Sequence, residues 1–436
     1  MGSKYPQSVR CWLPPWALTL EVTFILIFAF FTSYDVPSGE QKILETYQVL
    51  QDFTVMAALG FGFLTTSLRR HGWSSMGFNL FMLALSVQWA TLLDGVLEQP
   101  FQKKVIIRLS RIRVATVSAM SVLISAGSVL GKANLVQLMV MALVEVTAFV
   151  ATMRISRQVF ELVGDHECTM SIHVFAAYFG LIVAWCLSRT LPSGLDKKAQ
   201  TEKVQMATSP SLFAMLGTLF LWIFWPSFNS ALLSSPSERK KAVFNTYYAL
   251  AVSTVTATAA SALAHPQGKI NLIHIHNAVL AGGVAVGPSC YLFSSPWPFM
   301  VLGLMAGLIS IGAAKGQPVC FSCVLEIQDA SGVHATFGLP GLLGGFAYVV
   351  MMAYHAYWNS LIGYQLLIYI GQLNLAVAMG MASGLLTGLY DATFFQSVTD
   401  SRKPILFNMA GEDMHLQNMH LQANVCCRLQ SLTLHH

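Results

Sequence analysis

Few side chains in the apolar stretches of this sequence can titrate or bind, and those few set the chemistry open to it. His173 opens one apolar run, eight residues after Asp165. His334 opens another, and His274 and His276 precede a third. Glu21 and Glu145 lie inside apolar runs, and Asp94 closes one. An ionisable group surrounded by hydrocarbon is costly and marks conduction, proton transfer or helix pairing. Three histidine sites at the mouths of apolar, glycine-rich runs point to a narrow pore. Taken singly, such a histidine is more often an interfacial or hydrogen-bonded structural residue. Glu21, Glu145 and Asp94 can likewise pair with a neighbouring helix or reach an interface. Other chemistry is thinly represented. Cys320 and Cys323 form a Cys-x-x-Cys without the second pair a zinc site needs. The eight cysteines are scattered and make no disulfide framework. Neither GxxxxGK[ST] nor HExxH occurs, so no nucleotide-driven pump, metalloprotease or other enzyme is expected, and no metal or cofactor.

The elements that must hold these groups follow from composition. The chain has 436 residues, 55% hydrophobic and only 10% charged. A soluble domain carries about 25% charged residues, so an ordinary soluble enzyme, a disordered chain and a nucleic-acid binder are excluded. A bilayer-spanning helix takes about 20 apolar residues. Open backbone cannot face lipid, and continuous apolar runs without alternation select helices over a barrel. The expectation is an all-α polytopic membrane protein with twelve spans: Trp12–Phe31, Phe53–Leu68, Gly77–Leu93, Val114–Leu130, Leu135–Met153, Ile172–Ser188, Leu212–Leu232, Ala242–Ala264, Ile275–Phe293, Phe299–Ala314, Val333–Met352 and Tyr364–Leu389. An even count puts both termini on one side. Arg69, Arg70, Lys197, Lys198, Lys203, Arg402 and Lys403 follow spans on that side, which marks it as cytoplasmic. Arg239, Lys240 and Lys241 fall outside on this count.

Several tryptophans, Trp89, Trp185, Trp222, Trp225, Trp297 and Trp358, lie near span ends and read as interfacial anchors. Small residues crowd the eighth and ninth spans, where close helix packing explains them. Residues 1–389 form the membrane domain. Residues 390–436 are polar and weakly patterned, with Met414-His-Leu-Gln417 recurring as Met419-His-Leu-Gln422, and read as a disordered cytoplasmic tail.

Specific stretches then carry a resemblance: Gly60–Leu64, Gly77–Phe81, Val129–Lys132, Phe175–Gly180, Trp225–Ser230 and Ala281–Gly287. Together they resemble the superfamily of ammonium transporters, methylammonium permeases and Rhesus proteins, and specifically its Rhesus branch. Ser3–Pro6 and Trp16–Glu21 look closest to that branch's red-cell blood-group polypeptides. The resemblance implies eleven or twelve helices in an ammonium-transporter-like fold, with a five-plus-five inverted repeat. It implies a trimer, homo- or heteromeric, in the plasma membrane, with the Rhesus-associated glycoprotein and a cytoskeletal linker as partners. Ammonia, ammonium or CO2 are its candidate substrates. By motif, Asp165 matches the structural aspartate, His173 the first pore histidine and Phe228 one aromatic gate residue. The other gate position falls on Ala126. The second pore histidine falls on Phe337, and His334 matches a neighbouring histidine three residues earlier. The family chemistry passes neutral ammonia through a dry bore past two facing histidines. Half of that site and half of that gate are replaced here, so efficient ammonium transport is expected to be lost or much reduced. The alternative is a competent ammonia or CO2 channel. Cys11 and Cys186 stand where relatives can be palmitoylated, but the usual Cys-Leu-Pro is broken at both.

Overall fold

A computed structural model describes residues 13–34, 40–67, 72–98, 104–130, 132–160, 171–190, 208–324, 329, 331–355 and 362–398. Helices dominate them. In chain order they are α1 (Leu13–Phe31), α2 (Glu40–Val55), α3 (Gly72–Glu98), α4 (Leu109–Val129), α5 (Leu135–Val159), α6 (Ile172–Thr190), α7 (Thr208–Ser230), α8 (Pro236–Leu263), α9 (Leu272–Val286), α10 (Trp297–Val324), α11 (Leu339–His355) and α12 (Ile362–Val398). Each overlaps or adjoins one span expected from hydropathy. Among the described residues, nine stretches are long and apolar enough to cross a bilayer. The other three, α2, α8 and α9, have clear reasons. α2 starts at Glu40, well before the expected Phe53, in a polar stretch, and runs on through a π-helical turn, Met56–Phe61. α8 begins Pro-Ser-Glu-Arg-Lys-Lys and is rich in Thr and Ser. α9 has only 15 residues. Hydropathy measures contact with lipid, and a helix packed largely on other helices need not be apolar.

Two five-helix halves emerge from the packing. In the first, α3 packs on α4 and α5, and α4 on α6; in the second, α8 packs on α9 and α10, and α9 on α11. Five is odd, so the halves run in opposite senses through the bilayer, which is an inverted repeat. They meet where the π-turn after α2 packs against α7. Glycines permit that approach: a Cβ on Gly217 of α7 would strike the backbone of Gly60, Phe63 and Leu64.

α1 and α12 lie outside the repeat. α1 is peripheral, with 6% of its apolar window buried against 83% for α4. It is tied on by Phe24, which stacks on Trp89 at 5.8 Å, and by Glu21, which accepts from Gln88 Nε2 at 3.3 Å. Two short strands not evident in the sequence, β1 (Thr32–Tyr34) and β2 (Val105–Ile107), pair in parallel, Ser33 opposite Ile106. α12 packs chiefly on α6 and also on α5. It continues past Leu389 to Val398, with Asp391 and Ala392 still buried, so the expected boundary at residue 390 falls inside a helix. Residues 399–436, Cys11 and Asp165 lie outside the described residues, as do the side chains of Cys320 and Cys323.

Candidate functional site

The two halves bring α6 and α11 across each other at the centre of the bundle. His173 is the second residue of α6. Phe337 stands in a π-helical turn, His334–Gly338, that leads into α11. The crossing is reciprocal. Gly338 follows Phe337 by one residue and approaches Ala177, which follows His173 by four; Gly341 follows Phe337 by four and approaches Val174, which follows His173 by one. Gly180, seven residues after His173, packs on the backbone of α4 at Ser125, and Gly344, seven after Phe337, packs on the backbone of α9 at Ala285. Phe337 is thus the counterpart of His173 by position in the repeat, independently of any motif.

Their rings lie side by side. Imidazole and phenyl centroids are 6.0 Å apart and the planes differ by 2°. Trp225 also lies near-parallel to His173, at 5.8 Å, and Phe228 meets it edge-on at 5.9 Å. Phe61, at the end of the π-turn after α2, sits 6.0 Å from Phe337. All of these rings except Phe337 border a small cavity, lined by Met56, Phe61, Met120, Ile124, Ile172, His173, Trp225 and Phe228. Its volume is about 10 Å³, the room of about one water molecule. His173 is the one titratable residue in that lining. A second cavity of about 50 Å³ lies on another side of the crossing, among Ser171, Val174, Gly341, Tyr348 and Gln372.

Local sequence accounts for these placements. π-turns recur at functional sites because one extra residue re-aims the side chains around it. The turn at His334–Gly338 is capped by Asp329, whose Oδ1 accepts from Val333 N at 2.9 Å and Oδ2 from His334 N at 2.8 Å. Asp329 precedes Phe337 by eight residues, the interval that separates Asp165 from His173. In α7, Pro226 interrupts the ladder between Trp225 and Phe228. Ser227 Oγ donates to Asp52 Oδ2 of α2 at 2.5 Å, and Phe53 packs on Phe228 at 5.4 Å. α2 therefore clamps the aromatic wall formed by α7.

Of the residues singled out from sequence, His173, Phe228 and Phe337 come together. His334, one turn below Phe337, is buried beside Tyr178 with ring centroids 6.0 Å apart, and it does not line the cavity. Ala126 is not in the lining either: it is half-buried against the core, and the α4 residues in the lining are Met120 and Ile124. Trp225 is a correction of another kind. Its place near a span end reads as an interfacial anchor, yet it is 1% exposed and forms the wall against His173. The adjacent Pro226 was the available signal, since a proline inside an apolar span marks a bend. Among the other groups, Gln88 pairs with Glu21, Ser125 with Glu145 and Ser261 with His274.

Comparison with known proteins agrees with this architecture. The model of the Ammonium Transporter Family matches residues 16–393. An RH-like protein of Macaca mulatta is 61% identical over 89% of this chain and 93% of the relative. The Blood group Rh(CE) polypeptide of Homo sapiens is 59% identical over the same shares. Among solved structures, the Rh50 protein of Nitrosomonas europaea, described with the conduction mechanism of the Rhesus channels, superposes with a TM-score of 0.72. It is 25% identical, over 90% of this chain and all of that one. A sensor Amt protein shares the fold at 16% identity, with a TM-score of 0.65 over 84% of this chain and 97% of its own.

Proposed function

The chain belongs to the ammonium transporter family, among its Rhesus proteins, and on that premise we propose that it is a subunit of a trimeric Rhesus complex in the red-cell plasma membrane whose own conduction site is disabled. One observation carries the reading: the Phe337 ring stands parallel to His173 where the repeat calls for a second polar ring. An ammonium ion in a dry bore has lost its hydration and needs compensating hydrogen bonds. A phenyl group can neither donate nor accept one in the ordinary sense, and it fills volume that an ammonia molecule would occupy. His173 is left without a facing imidazole that would share its proton and fix its tautomer. Asp165, at the motif's structural position, and Phe228, at the gate, are proposed to keep their architectural roles. His334 is a structural histidine on this account. Met120 and Ile124 take the place that motif spacing gave to Ala126.

The complex is proposed to include the Rhesus-associated glycoprotein and a cytoskeletal linker, with both termini cytoplasmic. A second reading has its own observation. The cavity beside His173 is enclosed by apolar and aromatic walls, which suits a small neutral gas such as ammonia or CO2.

Stopped-flow recording of internal pH in proteoliposomes after an ammonium jump separates the two. The disabled-site reading expects wild type and His173→Ala to relax at the same slow rate, near that of empty liposomes. Rapid relaxation in wild type, lost in His173→Ala, would establish the competent channel. The complex is tested separately: the associated glycoprotein should co-purify with this chain from red-cell membranes, and its absence would remove the subunit proposal.

A further inference from the structure

Ser118, Ser121, Ser125 and Ser128 follow one another along one side of α4 at intervals of three and four residues, so they form a single row. All four serines are at most 1% exposed. A row of small residues alone is a packing feature, and Gly180 of α6 does pack against Ser125 and Ser128. Packing does not account for Glu145. This carboxyl comes from α5 into the middle of the row and is fully buried. It meets Ser125 through Oε2 and lies within reach of Ser121. Its Oε1 is buried without a hydrogen-bond partner among the described residues. No charged side chain of α3, α4, α6 or α12 acts on it, and both salt bridges among the described residues go to Glu98 instead.

Burial indicates the state of this group. The Ser125 hydroxyl is within reach of the Val122 carbonyl at 3.1 Å and of the Glu145 carboxyl. An ionised carboxylate with one oxygen unpaired in hydrocarbon would be strongly disfavoured.

We infer that Glu145 is a proton-binding site, held in its protonated form within the serine row of α4 and separate from the cavity at His173. The separation is geometric: α4 presents Met120 and Ile124 to the cavity and a different side, bearing the serines, to Glu145. The ligand is a single proton, and exchange replaces it with a deuteron one for one.

Infrared difference spectroscopy of the reconstituted full chain tests this, and ammonia takes no part in the measurement. Wild type should show the carbonyl stretch of a protonated carboxylic acid near neutral pH. The band should vanish in Glu145→Gln and shift when the film is exchanged into D2O. If Glu145→Gln does not assemble, Ser125→Ala gives the assignment, because losing that hydrogen bond moves the band. A carboxylate band in place of the acid, or an acid that never exchanges, would overturn the site.

Discussion

The two halves of the repeat share a backbone and differ in chemistry. α6 and α11 cross reciprocally, and each is seated by a glycine seven residues after its central ring. Yet α6 delivers an imidazole to the centre and α11 a phenyl. The entries differ too. α6 reaches His173 in its first turn, whereas α11 is preceded by a π-turn held by Asp329. The comparison teaches that the scaffold does not depend on the site. Glycine contacts, capping and ring packing hold the crossing whether or not its centre can hydrogen-bond, so conduction can be lost without loss of fold.

Perturbations of equivalent parts test how equal the halves are. The largest loss is expected from Gly344→Ala or Gly180→Ala, since each new Cβ would press on the backbone of a neighbouring helix. Each should cost about 3 kcal/mol, read as a fall in the thermal unfolding midpoint of the purified protein. A loss in only one of the two would show that the halves are not mechanically equivalent. Next is Asp329→Ala, which strips two backbone N–H partners from the start of the π-turn. It should cost about 2 kcal/mol by the same assay, and Asp329→Asn should recover part of it. Smallest is Ser227→Ala, which releases the half-buried contact with Asp52. It should cost about 1 kcal/mol. It should also quench or shift Trp225 emission, measured against Trp225→Phe, because that ring sits two residues away in the clamped wall.

Much of this was legible in the sequence, for reasons that residues make plain. Apolar runs give spans because lipid enforces them, and the equal intervals Asp165 to His173 and Asp329 to Phe337 already carry the repeat. What stayed hidden depends on contact between distant segments. Trp225 and Trp222 look alike in sequence, yet Trp225 is fully buried on His173 while Trp222 packs edge-on against Tyr247 at 5.5 Å. Ala126 and Ile124 differ by two positions, which is more than half a turn of helix, and only Ile124 faces the cavity. The start of α2 was missed because Glu40 to Asp52 is polar. Hydropathy has nothing to say about a helix that leaves the hydrocarbon, and it carried α9 on to Phe293 although the helix ends at Val286.

On the proposed reading, the Phe337 ring is the main barrier to conduction. The direct measurement is the rate of ammonia entry into proteoliposomes carrying Phe337→His beside wild type, matched for protein content. Phe337→His should conduct at least about tenfold faster, and adding His173→Ala should return the rate to that of wild type. Equal rates for wild type and Phe337→His, or a fast wild type, would contradict it.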